Sequence, residues 1–427
     1  MKTIAAVLIF LICGVGAGVI VIARTETRAT AEICTLIREN YYRAQDTDVQ
    51  KFLSDCESEP ATYGFSRKAV IKNINRRLSV IQSSHLSLYE PQDTIRMWEN
   101  EGSDTGLRTR RIDGELVVLA TLPESPARWA ELKPGDVIVS INDQTEINED
   151  DAQTTPGFYK VARAQKFFQT NLKLEDLRED LSPSIVTLSK GSANASSKDL
   201  AVLRIPSFLP QYFEQETWTP LAERLNSYSR VIIDLRGNAG GSFPAMLRAL
   251  SPFKCGSPAV GELWRSQAGY SNEPVAMQDD LRAKSQLELF QISNRVSLTP
   301  FTAAPKSETK PAASETKTCF NGSVLVLIDN NTSSVSEIFA ESLRAGARSH
   351  VWGWTTAGQV VMARWFPVGS LGGGDYAISI PIAGYRTSSG EELERKGVTP
   401  EKELYYNLEN ELRGEDSWIN EASRAKW

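Results

Sequence analysis

Histidine is almost absent from this sequence: two in 427 residues, His85 and His350. No Cys-x-x-Cys pair and no histidine cluster is present, so the chain offers no metal-ligand spacing and no cofactor is expected. Lysine is missing from the whole stretch between Lys317 and Lys396, which excludes an amine base there. Long basic runs are missing too, and with a net charge of −6 and a pI near 5.4 nothing points to nucleic acid as a partner.

Cysteine is sparse, at five. Cys13 falls in an apolar stretch, leaving Cys34, Cys56, Cys255 and Cys319, which allow three pairings. The local option joins Cys34 to Cys56 and Cys255 to Cys319; the alternative is four buried free thiols. The apolar stretch runs from Thr3 to Ala23 and ends at Arg24, close to the ~20 residues that cross a bilayer. Residues 1–24 therefore read as a signal anchor, or as a signal peptide cleaved near Ala29-Thr-Ala31. Either reading exports the protein to the cell envelope or periplasm; the favoured uncleaved anchor holds it at the inner membrane through residues 3–23.

A chain of this length predicts two or three domains. Residues 25–101 have a helical pattern: Ile33, Leu36, Ile37 and Tyr41 recur at three and four. Val70, Ile71, Ile74 and Leu78 share a face of a stretch from Ser66 to Ile81, which stops at Ser83-Ser-His85. Residues 102–190 hold a tight turn at Pro134-Gly135, with Asp136 bonding within it and an alternating strand from Val137 to Ile141. After a polar tract at 190–198, residues 199–410 alternate strands (Val231–Leu235, Val324–Ile328, Val351–Trp354) with helical patterns (Thr219–Asn226, Ser336–Ala347). That alternation predicts an α/β core with a mostly parallel sheet. Residues 303–318, rich in Ala, Pro, Lys, Ser, Glu and Thr, read as a solvated loop, and 411–427 as a C-terminal tail.

Two stretches of the core carry chemistry. The run Val231-Ile-Ile-Asp-Leu-Arg-Gly-Asn-Ala-Gly-Gly241 is a buried strand that breaks into glycines, delivering backbone N–H groups to a loop. Thr332-Ser-Ser-Val-Ser-Glu337 repeats the layout with hydroxyls at the start of a helix. Oxyanion donors and a nucleophile could meet there. Asp234 and Arg236 are expected to organise the glycine loop, and Ser333 and Ser336 to cap the helix.

Both stretches resemble the signature blocks of the carboxyl-terminal processing (tail-specific) serine peptidases. The resemblance implies a crotonase-like or ClpP-like α/β core with an N-terminal helical segment and an inserted PDZ domain. It places the nucleophile on Ser334 and the oxyanion hole on the N–H of Gly240 or Gly241 with that of Val335. Members with a Ser-Lys dyad carry the base in a block Thr-Phe-Gly-Lys; here the block is Thr355-Thr-Ala-Gly-Gln359, and a neutral amide cannot accept the proton. The chain instead resembles the tricorn-like and retinoid-binding-protein-like branch, in which a Ser-His pair ahead of the PDZ domain supplies the base. That pair is Ser84-His85. A positioning glutamate falls at Glu394, in Leu393-Glu-Arg-Lys-Gly-Val-Thr-Pro400, with Glu391 and Glu392 as runners-up and Glu401 in place of the usual aspartate. Histidine titrates near neutral pH and can take a serine proton when its other nitrogen is held. His350 reads as structural.

The PDZ resemblance rests on Ser125-Pro-Ala127 and Leu132-Lys-Pro-Gly-Asp136. It implies a polypeptide partner docked as an added strand, with Gly106-Leu107 as a candidate carboxylate-binding loop; a spacer that binds nothing is the alternative. The expected activity is hydrolysis of peptide bonds near C-terminal or unstructured tails. The competing expectation is an inactive, peptidase-shaped binding scaffold.

Overall fold

The structure is a computed structural model that describes residues 27–58, 66–91, 93, 101–186, 199–254, 260–264, 275–276, 319–344, 346, 348–372 and 376–427. The expected membrane segment, the 303–318 loop, Cys13 and Cys255 lie outside the described residues. Among the described residues no helix is long and apolar enough to cross a membrane.

Three helices open the described chain: 27–40, Thr47–Ser58 and Arg67–Leu78. The last starts at Ser66, whose hydroxyl accepts the Ala69 N–H at 3.2 Å. Ile33, Ile37, Val49, Val70, Ile74 and Leu78 share one core with Ile378 and Ile380 of a later strand. Cys34 and Cys56 are joined, as the local pairing expects, and Cys319 is also disulfide-bonded. Beyond the third helix lies strand β1 (Ser87–Tyr89). The Asn75 side chain exchanges two 2.8 Å hydrogen bonds with the Leu88 backbone. This helix-to-strand clamp pins the segment that carries Ser84 and His85.

Next comes a β module. Strands β2 (Glu101–Asp104) and β8 (Glu175–Arg178) pair with each other, and β3 (Leu107–Ile112), β4 (Glu115–Thr121), β5 (Val137–Ile141), β6 (Gly157–Arg163) and β7 (Lys166–Leu172) form an antiparallel sheet in that order. Its hairpins dictate the antiparallel pairing: β6 and β7 are linked only by Ala164-Gln165, both at positive φ, a loop too short for a parallel crossover. Asp136 bonds within its turn as expected, accepting the Lys133 N–H at 2.9 Å, and it also takes Arg163.

The remaining strands are β9 (Ser184–Val186), β10 (Leu200–Arg204), β11 (Arg230–Asp234), β12 (Glu262–Trp264), β13 (Val275–Ala276), β14 (Ser323–Ile328), β15 (Ser349–Gly353), β16 (Val361–Pro367), β17 (Ala377–Arg386) and β18 (Lys402–Glu403). A six-stranded sheet runs β18-β15-β14-β11-β10-β9, parallel except at β9. A second sheet of β1, β17, β12, β13 and β16 is antiparallel. The expectation of a mostly parallel core thus holds for one sheet only; the fold is mixed α/β with partly antiparallel sheets.

The parallel sheet is buried on both faces, which is why its strands read as unbroken apolar runs. Val231, Ile233, Val326 and Ile328 pack with Phe339 and Leu343 of the Val335–Arg344 helix, while Ile232, Leu325 and Leu327 pack with Trp352 and Trp418 on the other side. Trp418 belongs to the helix Ser417–Arg424, so the 411–427 stretch covers a face of this sheet. Asp234 pairs in register with Leu327. The loops leaving the carboxyl ends of β11 and β14 are therefore neighbours, the usual place for a site on a parallel sheet.

Candidate active site

The loop after β11 is built around its own side chains. Arg236 is held bidentately by Asp234 (Nε to Oδ1 2.8 Å, Nη2 to Oδ2 2.7 Å) and by Asp416 at 2.6 Å, the organising role expected of Asp234 and Arg236. The two carboxylates hold the Arg236 pKa up despite its burial. Fully buried Asn238 donates from Nδ2 to the Ile205 carbonyl and accepts the Gly240 N–H on Oδ1 at 2.9 Å. Of the two glycines expected to supply an oxyanion donor, Gly240 has its N–H engaged by Asn238, which leaves Gly241, bridged to Phe208, as the candidate. Gly240 acts by shape: φ is +98°, and a Cβ there would lie 2.7 Å from the Ser334 Cβ.

The turn after β14 converges on this loop. Asp329 Oδ1 accepts the N–H of Gly237 (2.9 Å), Asn331 (3.1 Å) and Thr332 (3.0 Å), and the Ser333 N–H donates to the Asn238 carbonyl at 3.0 Å. Ser334 follows at φ +60°, a left-handed conformation that costs a non-glycine residue about 1–3 kcal/mol and that clusters at functional sites. Its backbone N–H donates to Glu337 Oε2 at 2.9 Å, which is half of a capping box. The other half is not made: the Ser334 hydroxyl forms no hydrogen bond among the described residues. Val335 is the first residue of the helix, so its N–H has no intrahelical acceptor. The capping expected of Ser336 does not occur either, because its buried hydroxyl has no partner among the described residues.

His85 also has φ +60°. Its Nδ1 lies 2.9 Å from the Ser84 hydroxyl, which donates to Glu394 Oε2 at 3.0 Å, and the Ser84 N–H donates to Glu394 Oε1 at 2.9 Å. A hydroxyl that gives its proton to a carboxylate can only accept from the ring. The imidazole proton then sits on Nδ1 and the Nε2 lone pair is free to act as a base. Burial pushes the His85 pKa below the ordinary histidine value, and the Glu394 charge opposes that shift. Ser84, His85 and Glu394 are thus brought together.

No hydrogen bond joins His85 to Ser334, but their supports meet. Glu337 accepts the Thr356 hydroxyl and the N–H groups of Gly358 and Gln359 as well as that of Ser334. The next N–H along the chain, that of Val360, donates to Glu394 Oε2 at 2.7 Å. Consecutive residues 359 and 360 therefore tie the serine turn to the histidine relay. Burial raises the Glu337 pKa against the opposing pull of these donors. Gln359, the residue expected at the position of the dyad-type lysine, is exposed.

The runners-up lie elsewhere: Glu392 binds Arg43 and Arg386, and exposed Glu391 donates its N–H to Thr387. His350 pairs with Glu401 at 2.7 Å on β15. In the module, Gly106 has φ +84°, its N–H donates to Asp104 Oδ1 at 2.6 Å, and the Leu107 N–H donates to Thr105 Oγ1 at 3.3 Å. Both N–H groups of the expected carboxylate loop are satisfied internally. Sequence reasoning missed Glu337 and Asp329 as supports; the available signal was the Ser-x-x-Glu spacing from Ser334 to Glu337.

Residues 199–404 match peptidase family S41. This part of the chain is an S41 peptidase domain. The family resemblance read from the sequence is borne out, and two curated relatives agree with it. The chain is 24% identical over 314 residues to the carboxy-terminal processing protease CtpA of Bacillus subtilis (strain 168), covering 69% of this chain and 54% of the relative. It is 22% identical over 304 residues to the chloroplastic carboxyl-terminal-processing peptidase 2 of Arabidopsis thaliana, covering 68% and 50%. The chain thus spans about half the length of these relatives. Among solved structures, a putative S41 protease from Bacteroides fragilis NCTC 9343 has the same fold, with a TM-score of 0.58 at 14% identity over 91% of this chain and 95% of the other. The S41 domain holds Ser334, Gly240, Gly241, Val335 and Glu394; Ser84 and His85 come from the region before it.

Proposed function

We propose that this S41 protein is a serine endopeptidase in which Ser334 attacks a peptide carbonyl and His85 is the general base. The observation that carries the reading is the chain of contacts from Glu394 through Ser84 to Nδ1 of His85, which leaves Nε2 unprotonated on the network that also holds the Ser334 turn. His85 takes the hydroxyl proton and returns it to the leaving amine, worth about 10²–10⁴-fold. The oxyanion rests on the Gly241 and Val335 N–H groups, and water then releases the acyl group. The Nε2-to-hydroxyl contact closes when substrate binds, since catalytic hydrogen bonds are often loose in free enzymes.

The substrates are C-terminal or unstructured tails of exported proteins, held by the antiparallel module acting as an inserted PDZ domain on the edge of a crotonase-like core. The apolar 3–23 stretch tethers the protein in the cell envelope. The test is to incubate the purified protein with an unfolded polypeptide and to sequence the products by mass spectrometry. New internal ends that disappear in Ser334→Ala and in His85→Ala support the endopeptidase. Binding of the same polypeptide without any cleavage supports the scaffold, the reading that Gln359 in the lysine position favours.

A further inference from the structure

Arg110 projects from β3 of the module onto the S41 domain. Its Nη2 donates to Asp329 Oδ2 at 2.9 Å and its Nη1 to Asn330 Oδ1 at 3.2 Å, while the guanidinium lies over the rings of Trp354 (5.6 Å) and Tyr406 (5.8 Å). The Asp329 side chain is 1% exposed and that of Arg110 12%. The other oxygen of this carboxylate is the one that accepts Gly237, Asn331 and Thr332. One buried anion therefore joins the glycine loop to the nucleophile turn, and its cation comes from outside the S41 domain.

Without that cation the buried Asp329 Oδ2 loses its partner, which is unfavourable, and the carboxylate is expected to turn towards water. That turn loosens the N–H groups of Gly237 and Thr332 held by Oδ1. Gly240 and Gly241 lie three and four residues beyond Gly237, and Ser334 two beyond Thr332. A displacement here separates the oxyanion donors from the nucleophile, and misplacement by about 1 Å is enough to cost about 10²-fold in rate.

We propose that Arg110 is a positioning residue of the peptidase site, setting through Asp329 the spacing between the glycine loop and the Ser334 turn. The assignment rests on the peptidase reading for its kinetic consequence but not for its structural one, and the experiment separates the two. Full-length wild type, Arg110→Ala, Arg110→Lys and Asp329→Asn are compared by amide hydrogen exchange, and by kcat and KM on a short peptide that reaches only the Ser334 cleft.

Arg110→Ala is expected to speed exchange about tenfold or more in 235–242 and 329–335 while β10 and β14 stay protected, and to lower kcat about 10- to 100-fold with KM within threefold. Arg110→Lys, which keeps the charge but loses the fork, is expected to recover part of both effects. Adding Arg110→Ala to Asp329→Asn is expected to add little, since Arg110 acts through that carboxylate. Should Arg110→Ala fail to fold, the lysine variant carries the test through its intermediate exchange and kcat. Unchanged exchange in the two loops, or a rise spread evenly over the sheet, overturns the proposal. A wild type that cleaves nothing, with exchange still rising in the two loops of Arg110→Ala, supports the positioning role and rejects the peptidase.

Discussion

Both polar groups of Ser84 that can donate, the hydroxyl at 3.0 Å and the backbone N–H at 2.9 Å, are taken by the two oxygens of Glu394. Glu394 never touches the imidazole; it fixes the residue that does. The carboxylate acts on His85 through orientation and through its field.

Glu394→Gln separates these effects. Nothing then opposes the burial that depresses the His85 pKa, so that pKa falls further. The base must be neutral to act, and kcat/KM rises with pH through its pKa. The acid limb of the profile is expected to lie below the ordinary histidine value in the wild type and to move to still lower pH in the variant. The plateau is expected to fall about 10- to 100-fold, inside the total attributed to a general base. A pH–rate profile checks both, and an acid limb that shifts upward contradicts the relay.

Gly240→Ala places a methyl group 2.7 Å from the Ser334 Cβ at a φ of +98°. Neither side can yield cheaply, since Ser334 is itself held in a left-handed turn. Loss of turnover by about 10²-fold or more is expected, with about 1–3 kcal/mol of lost stability. Denaturant unfolding beside a cleavage assay measures the pair.

Glu337→Gln tests the support under the nucleophile. The carboxylate accepts four donors, two on each oxygen, and an amide offers one oxygen and turns an NH₂ towards the other two. The substitution relieves burial of a charge, yet leaves buried N–H groups without acceptors. The net expectation is destabilisation by about 1–3 kcal/mol, together with slower acylation of Ser334. A variant as stable and as reactive as the wild type removes Glu337 from the account.

Cys34→Ser opens a cross-link between cysteines 22 positions apart. Loop-closure entropy makes that worth about 3 kcal/mol, and the loss is expected in denaturant midpoints measured without reductant. Activity at low temperature is expected to persist, because the bridge lies in the helical region and contacts no member of the relay.

Much of this site was legible because its parts sit in short local patterns. The runs at Val231–Leu235 and Val324–Ile328 announced strands buried on both faces, and the glycines and hydroxyls after them marked the two loops. His85 and Glu394 were legible only through a family resemblance, since nothing local relates residues 309 positions apart. The supports were harder still. Asp329 meets Arg110 across 219 positions, and Arg236 meets Asp416 across 180; each looks like an ordinary surface charge until the fold buries it. The engaged Gly240 N–H shows a finer limit, because which glycine donates depends on where the Asn238 amide points. The antiparallel sheets were underestimated because the strand-helix alternation of residues 199–410 masked the β16–β17 hairpin within that stretch, and the other hairpins lie in the module before it.

Labelling with a serine-reactive organophosphonate tests the central claim most directly, because it needs no knowledge of the substrate. Peptide mapping of the folded full-length protein is expected to place the adduct on Ser334, with labelling slowed about 10²-fold or more in His85→Ala and lost in Ser334→Ala. Absence of any adduct on folded wild-type protein, or an adduct whose rate ignores His85, contradicts the account.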